Sequence, residues 1–135
     1  MYPSATLLLR GWLAQRYPTR RVLTETPGDM DGEPEVIQVG RYGGADRVLT
    51  LDVADVDVDV YAASWAAADA LAHAVWVALR TALPGSTLTT PTGYAPADSA
   101  VVARVQTISA PAQRPVSNPA LRRAGAAYRL TLHSS

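Results

Sequence analysis

The sequence contains no cysteine and no lysine, and its acidic and basic side chains are equal in number. The absence of cysteine excludes disulfides, thiolate metal sites and cysteine nucleophiles. All 12 basic side chains are arginine. Arginine forms bidentate pairs at interfaces, although a GC-rich genome produces the same bias and is the simpler explanation. The net charge of zero argues against binding to nucleic acid or to a membrane through bulk charge.

The sequence also lacks a run that would span a membrane. Its most apolar stretch, residues 62–83, is interrupted by Asp69, His73 and Arg80, so no membrane partner is expected. A length of 135 residues is typical of one domain with a core of its own. These features predict a single soluble domain over residues 1–135.

Enzyme motifs are absent as well. Gly43 and Gly44 follow a predicted strand, but without the spacing of a nucleotide-binding loop. His73 and His133 are the only histidines, and neither lies in a zinc-binding pattern. Asp69 stands one helical turn before His73, which predicts an exposed ion pair or hydrogen bond rather than a catalytic site. The sequence therefore predicts no enzymatic activity, no cofactor and no metal.

The apolar periodicity predicts an α+β fold. Helical spacing after the N-cap residues Ser4 and Ser64 predicts two helices, and alternation bounded by turn residues predicts the strands. The helices are expected at residues 5–16 and 65–83, and the strands at residues 21–26, 35–42, 47–61, 87–90, 100–108 and 127–133. This order predicts one mostly antiparallel β-sheet with both α-helices packed on one face.

Residues 55–60 alternate aspartate with valine. In a strand the three valines share one face, while Asp55, Asp57 and Asp59 share the other. Carboxylates spread about 7 Å apart along a strand do not converge on one divalent cation. Two alternatives remain for the acidic face: water screens it, or arginines such as Arg104 and Arg129 pair with it.

Leu49, Leu51 and Val53 precede this stretch and are apolar at odd positions, out of phase with the valines. A regular strand does not change phase, so a bulge is expected near Ala54. The three residues then need an apolar partner of their own, which an interface between subunits would supply.

A long loop or arm is expected at residues 109–125, which are rich in proline and have no apolar period. Within this segment, Arg114, Asn118, Arg122 and Arg123 are expected to contact a neighbouring subunit through charge-assisted hydrogen bonds. A solvated basic loop is the alternative.

Several segments share a compositional pattern that spans nearly the whole chain. They are Leu13, residues 21–22, 39–44 and 57–62, the alanine-rich helix that follows, and residues 118–123 and 128–132. On these segments the chain resembles the tail terminator proteins of long-tailed, siphovirus-type bacteriophages.

The resemblance implies a structural virion protein without catalytic residues. Such a subunit forms a homo-hexameric ring on the last ring of tail tube protein, stops polymerisation of the tube, and joins the tail to a head-completion or neck protein. It is expected in the host cytoplasm before assembly and at the head–tail junction of the virion. In a ring with its helices outward, Asp55, Asp57 and Asp59 would line the channel through which DNA passes without specific binding. Water would then screen them without cationic partners.

Two other functions remain open. A head-completion or neck connector of the same particle is the first alternative, because a fold does not fix a function. The second is a small ligand-binding α+β domain with a pocket beneath the arm.

Overall fold

The computed structural model describes residues 4–24, 35–48, 51–90, 99–116 and 120–134. These ranges contain helices α1 (Ala5–Arg16) and α2 (Trp65–Thr81) and strands β1 (Arg21–Leu23), β2 (Glu35–Val48), β3 (Leu51–Ala62), β4 (Thr87–Thr89), β5 (Ser99–Arg114) and β6 (Arg122–Ser134). The strands form one curled sheet in the order β1-β2-β3-β6-β5-β4. Among the described pairs only β1–β2 is parallel. The predicted single α+β domain with a mostly antiparallel sheet is confirmed.

Both helices begin at the predicted caps. The Ser4 hydroxyl accepts a hydrogen bond from the Leu7 amide at 3.3 Å, and the Ser64 hydroxyl accepts one from the Ala67 amide at 3.2 Å. Each bond satisfies an amide that the first helical turn leaves without a partner. The helix starts therefore follow from local chemistry that the sequence already contains, whereas α2 ends at Thr81, two residues before its predicted end.

One apolar core joins both helices to the same face of the sheet. Leu8 and Leu13 of α1, Leu79 of α2 and the three valines of β3 at positions 56, 58 and 60 belong to one buried cluster. The three aspartates of β3 therefore lie on the opposite, helix-free face, since side chains alternate along a strand. The predicted division of β3 into an apolar and an acidic face is confirmed.

The bulge predicted near Ala54 is wrong. Strand β3 pairs with β6 in unbroken register from Leu51 to Ala62, and the register shifts lie instead on β2, between Arg41 and Gly43 and between Asp46 and Val48. The face of Val56 continues to Asp52, whose side chain is only 4% exposed. Arg41 binds Asp52 through two hydrogen bonds of 2.7 and 2.9 Å. A neutralised aspartate on the core face, and not an extra residue, explains the change of phase.

The long arm predicted at residues 109–125 is also largely wrong. Strand β5 continues to Arg114, β6 begins at Arg122, and Arg114 pairs in register with Arg123. Most of the segment is thus the paired end of two long strands. Register shifts after Thr107 and Ser109 interrupt the alternation and allow Pro111 within a strand, which hid the strand from periodicity analysis.

Candidate functional site

The most unusual surface of the domain is the helix-free face of the central strands. It carries an Asp–Arg network built from three elements: Asp55, Asp57 and Asp59 on β3, Arg114 on β5, and Arg123 and Arg129 on β6. The six charges cancel, so this part of the face is close to neutral.

At one end of the network, Asp55 pairs with Arg129, its register partner on β6. Two hydrogen bonds join them, from Arg129 Nε to Asp55 Oδ1 at 2.8 Å and from Nη2 to Oδ2 at 3.2 Å. The hydrogen bonds from Arg129 lower the pKa of the Asp55 carboxyl below its ordinary value, because they stabilise the charged form. This is a cross-strand ion pair of the directional kind that arginine favours.

At the other end of the network, the Asp59 carboxylate binds two arginines. Arg114 Nη1 lies 3.0 Å from Asp59 Oδ1 and 3.2 Å from Asp57 Oδ1, so it bridges these two carboxylates. Arg123 Nη2 donates to Asp59 Oδ2 at 2.9 Å, and this bond is the main cause of a raised pKa of Arg123. The Asp59 side chain is only 8% exposed, which makes these partners necessary.

Gly125 allows Arg114 to reach β3. Arg114 belongs to β5, and its side chain must cross β6 to bind the aspartates, because β6 lies between the two strands. It crosses at Gly125, where a Cβ atom would overlap Asp59 Oδ1 and the Cδ and Nε atoms of Arg114. The position therefore requires glycine for close approach.

The expectation that the aspartates stand without cationic partners is wrong. The arginine-paired alternative is observed, through Arg129 as considered from the sequence. Arg104, the other arginine considered, makes no ion pair with a carboxylate of the described residues. The remaining partners are Arg114 and Arg123, which had been expected to contact a neighbouring subunit. Their guanidinium groups bind carboxylates of their own chain, and their contact with a neighbouring subunit stays a prediction.

The other predicted interface residues are only partly described. Leu51 and Val53 lie on the helix-free face, next to the Asp–Arg network, where Leu51 is half-buried and Val53 is buried. Neither belongs to the core or to the smaller apolar cluster of the described residues, which consists of Val36, Tyr61 and Leu121. Arg122 donates to the carbonyl of Leu121 at 3.0 Å. Leu49 and Asn118 lie outside the described residues. The contacts of these residues with another subunit, and a channel position for the aspartates, stay predictions.

Three features of the central strands could not be found from sequence patterns. Gly125 and the Arg41–Asp52 pair depend on which strands are neighbours. Tyr42, the extra residue at a register shift of β2, has a 54% exposed side chain. It lies between Arg41 and Gly43, which pair with Val56 and Asp55, and so stands beside the network. Desolvation first, and then the charges of Asp55 and Asp57, raise the pKa of its phenol.

Other parts of the described chain contain a groove and an exposed histidine–aspartate pair. A groove of about 290 Å³ lies between α1 and β4, lined by Leu8, Trp12 and Leu88 among others, rather than beneath the predicted arm. His73 Nδ1 lies 3.3 Å from Asp69 Oδ1 in an exposed pair on α2, as the sequence predicted. Within the described ranges, no three acidic or histidine side chains converge as a metal site would need, and neither helix is long and apolar enough to cross a bilayer.

Comparison with known proteins shows a similarity in structure but none in sequence family. No protein-family model matches this chain, and no curated protein matches it significantly by sequence. The structure is similar to a chain in the virion of a native gene transfer agent particle, with a TM-score of 0.53 and 20% sequence identity. The similarity covers 97% of this chain and 87% of that chain. At this identity the comparison shows that the two chains share a fold along almost their whole length.

Proposed function

We propose that this chain is a structural protein of a phage-like virion and that it acts as a tail terminator. In this role its subunits form a hexameric ring on the end of the tail tube, stop the polymerisation of the tube, and bind the neck or head-completion protein. It has no catalytic activity and no cofactor. It is found at the head–tail junction after assembly.

The observation that carries this proposal is the fold shared with a virion chain over 97% of the present sequence. The character of the surface supports it. Leu51 is a half-buried apolar side chain on the helix-free face that belongs to neither apolar cluster of the described residues, as a subunit contact would require. Elsewhere on the helix-free face, the ion pairs of the Asp–Arg network stabilise the arrangement of the strands.

With the helices directed outward, the helix-free face lines the channel. The Asp–Arg network then presents balanced charge to the passing DNA. Such a surface neither attracts phosphates, as a lysine-rich wall would, nor repels them as strongly as unpaired aspartates would. DNA therefore passes without specific binding. This replaces the acidic wall expected from the sequence.

Deletion of the gene, followed by electron microscopy of the particles, tests this role. A terminator stops polymerisation, so its loss should produce tail tubes that are too long and carry no heads. A neck connector acts after the tail is complete, so its loss should leave tails of normal length that are separate from filled heads. Normal particles after deletion would contradict both roles.

Complementation with a Leu51→Asp variant tests the proposed contact. The substitution places a charge in the subunit interface, and it should prevent ring formation and leave the tail defect uncorrected. Thr19→Asp, an exposed position in the turn after α1, is the control and should restore normal particles. If Leu51→Asp lowers the stability of the isolated subunit by several kcal/mol, Leu51 is a core residue and this contact is wrong.

A further inference from the structure

Charge is distributed unequally among the central strands. Strand β3 contains aspartates and no basic residue, whereas the hairpin of β5 and β6 contains arginines and no acidic residue. The arginines of this basic hairpin are Arg104, Arg114, Arg122, Arg123 and Arg129. Because β6 lies directly beside β3, a hairpin of one charge sign packs against a strand of the other. The zero net charge of the whole chain does not show this separation.

Four arginines of the basic hairpin lie on the helix-free face. Arg114, Arg123 and Arg129 bind the aspartates of that face. Arg104 pairs in register with Thr131, a residue on the outer face of β6, so its side chain lies on the same face. Arg104 is exposed and makes no ion pair with a carboxylate of the described residues. The aspartates of β3 therefore neutralise three of the four guanidinium groups.

The paired arginines remain accessible from solvent. The side chains of Arg114, Arg123 and Arg129 are 24%, 29% and 43% exposed. The donors that they direct to the aspartates are the same donors that bind a phosphate, since a guanidinium group recognises both anions through its planar fork. A phosphate that approached this face would have to displace a carboxylate that is already in place.

Stability alone does not account for the aspartates. Aspartate is unfavourable in strands, and three like charges on one face of β3 repel one another. The Asp57 side chain is 37% exposed, and an ion pair with that much exposure contributes little to stability. What Asp57 and Asp59 do together is occupy Arg114, which would otherwise be a free cation beside Arg104.

We propose that the aspartates of β3 act as internal substitutes for phosphate, which occupy the arginines of the basic hairpin and prevent this face from binding DNA. Without the carboxylates, Arg104, Arg114 and Arg123 would form a cationic surface on two neighbouring strands. Such a surface binds the DNA backbone without reading its sequence. The choice of DNA rests on the proposed function, which directs this face to the passing genome. The neutralisation itself is a property of the single subunit.

Replacement of the carboxylates by amides of the same shape tests this inference. The variants are Asp57→Asn and the double variant Asp57→Asn/Asp59→Asn. The control is Asp69→Asn/Ala74→Lys, which adds as much positive charge as the double variant but places it on α2, on the other side of the sheet. Fluorescence anisotropy of a labelled DNA duplex, titrated with each protein over a series of salt concentrations, measures binding. Circular dichroism checks that every variant is folded.

The double variant should bind the duplex at least about tenfold more tightly than wild type at low salt. A plot of its log binding constant against log salt concentration should be steeper by about 2, or about 1 for each arginine freed. Asp57→Asn should give a smaller gain, and it replaces the double variant in the test if the loss of Asp59 prevents folding. The control should bind as weakly as wild type.

A second set of substitutions identifies the groups that bind DNA. Arg114→Gln and Arg123→Gln, added together to the Asp57→Asn/Asp59→Asn variant, should return binding and its salt dependence to the wild-type level. The reason is that these two arginines supply the new phosphate contacts. Polyglutamate, a polyanion without phosphate, should bind the double variant more weakly than DNA does.

Four results would overturn the inference. The first is a folded double variant that binds DNA no more tightly than wild type. The second is an equal gain in the control, which would indicate an effect of net charge alone. The third is a gain that survives the loss of both arginines. The fourth is equal binding of polyglutamate, which would indicate an acidic protein as the partner. All four leave the terminator role intact, whereas normal particles after gene deletion would contradict that role and not the neutralisation.

Discussion

The two faces of β3 are stabilised in different ways. On the inner face, the valines at positions 56, 58 and 60 are buried against both helices. On the outer face, Asp55 and Asp59 are largely buried too, with side chains 13% and 8% exposed, but they depend on arginines from β5 and β6. Apolar burial is not directional, so many residues contribute to it. Ion pairs are directional, and each requires a particular partner.

This difference determines how the two faces tolerate substitution. The inner face should lose stability in proportion to the apolar volume removed. The outer face should be sensitive at the few positions where a carboxylate is buried or where a side chain crosses a neighbouring strand. Four predictions test this comparison, from the largest expected effect to the smallest.

Leu130→Ala on the inner face of β6 should have the largest effect. Leu130 is fully buried in the core, and its truncation should lower the free energy of unfolding by about 2–5 kcal/mol because it leaves a cavity. Thr131→Ala, the next residue on the outer face, is the control and should cost about 0.5 kcal/mol or less. Urea denaturation followed by tryptophan fluorescence measures both. Equal losses of unfolding free energy would show that the two faces do not differ in their tolerance of substitution.

Gly125→Ala should lower stability by about 1–3 kcal/mol, because the added methyl group overlaps Asp59 and the side chain of Arg114. Gly40→Ala is the matched control. Gly40 also faces β3, opposite Asp57, but a Cβ atom there would meet nothing within 4 Å. It should be neutral or stabilising by up to about 1 kcal/mol, since alanine restricts the unfolded chain. Thermal unfolding compares the two, and an equal loss at both positions would argue against the crossing at Gly125.

Asp59→Asn should lower stability by about 1–3 kcal/mol, because Arg114 and Arg123 would lose the carboxylate between them. Asp57→Asn should cost about 1 kcal/mol or less, since the Asp57 side chain is 37% exposed and binds only Arg114 among the described residues. Urea denaturation of the two variants compares how much Asp59 and Asp57 each contribute to the free energy of unfolding. A larger loss at Asp57 would mean that burial does not control their contribution.

The smallest effect is a pH dependence that arises from Asp55. The pKa of its carboxyl is lowered in the folded state, mainly by hydrogen bonds from Arg129. Its contribution is therefore present above the unfolded pKa of about 3.9 and is lost as pH falls through the folded pKa. Asp55→Asn and Arg129→Gln should each flatten the dependence of unfolding free energy on pH below about 4. Slopes identical to wild type in both variants would contradict the pairing.

Local features of the fold were predictable, and some long-range ones were not. Ser4 and Ser64 define the helix starts because a cap acts within three residues. The alternation at residues 55–60 defines both faces of β3 because it depends only on the pleat. The end of β5 was missed because its register shifts break the alternation that identifies a strand. The bulge predicted near Ala54 is wrong because a charged residue such as Asp52 is expected on the solvent face. Only its ion pair with Arg41 explains why it lies on the core face.

The sequence by itself determined that this is one α+β domain, with two capped helices on the apolar face of a mostly antiparallel sheet. It also determined that three aspartates share the other face, since periodicity and capping act between residues close in the chain. Only the tertiary structure decided how those aspartates are neutralised. Their arginines stand 55 to 74 residues away along the chain, and they reach β3 because β6 lies beside it and because Gly125 leaves room for Arg114. No local pattern encodes which strands become neighbours, so the charge of this face is a property of the folded sheet.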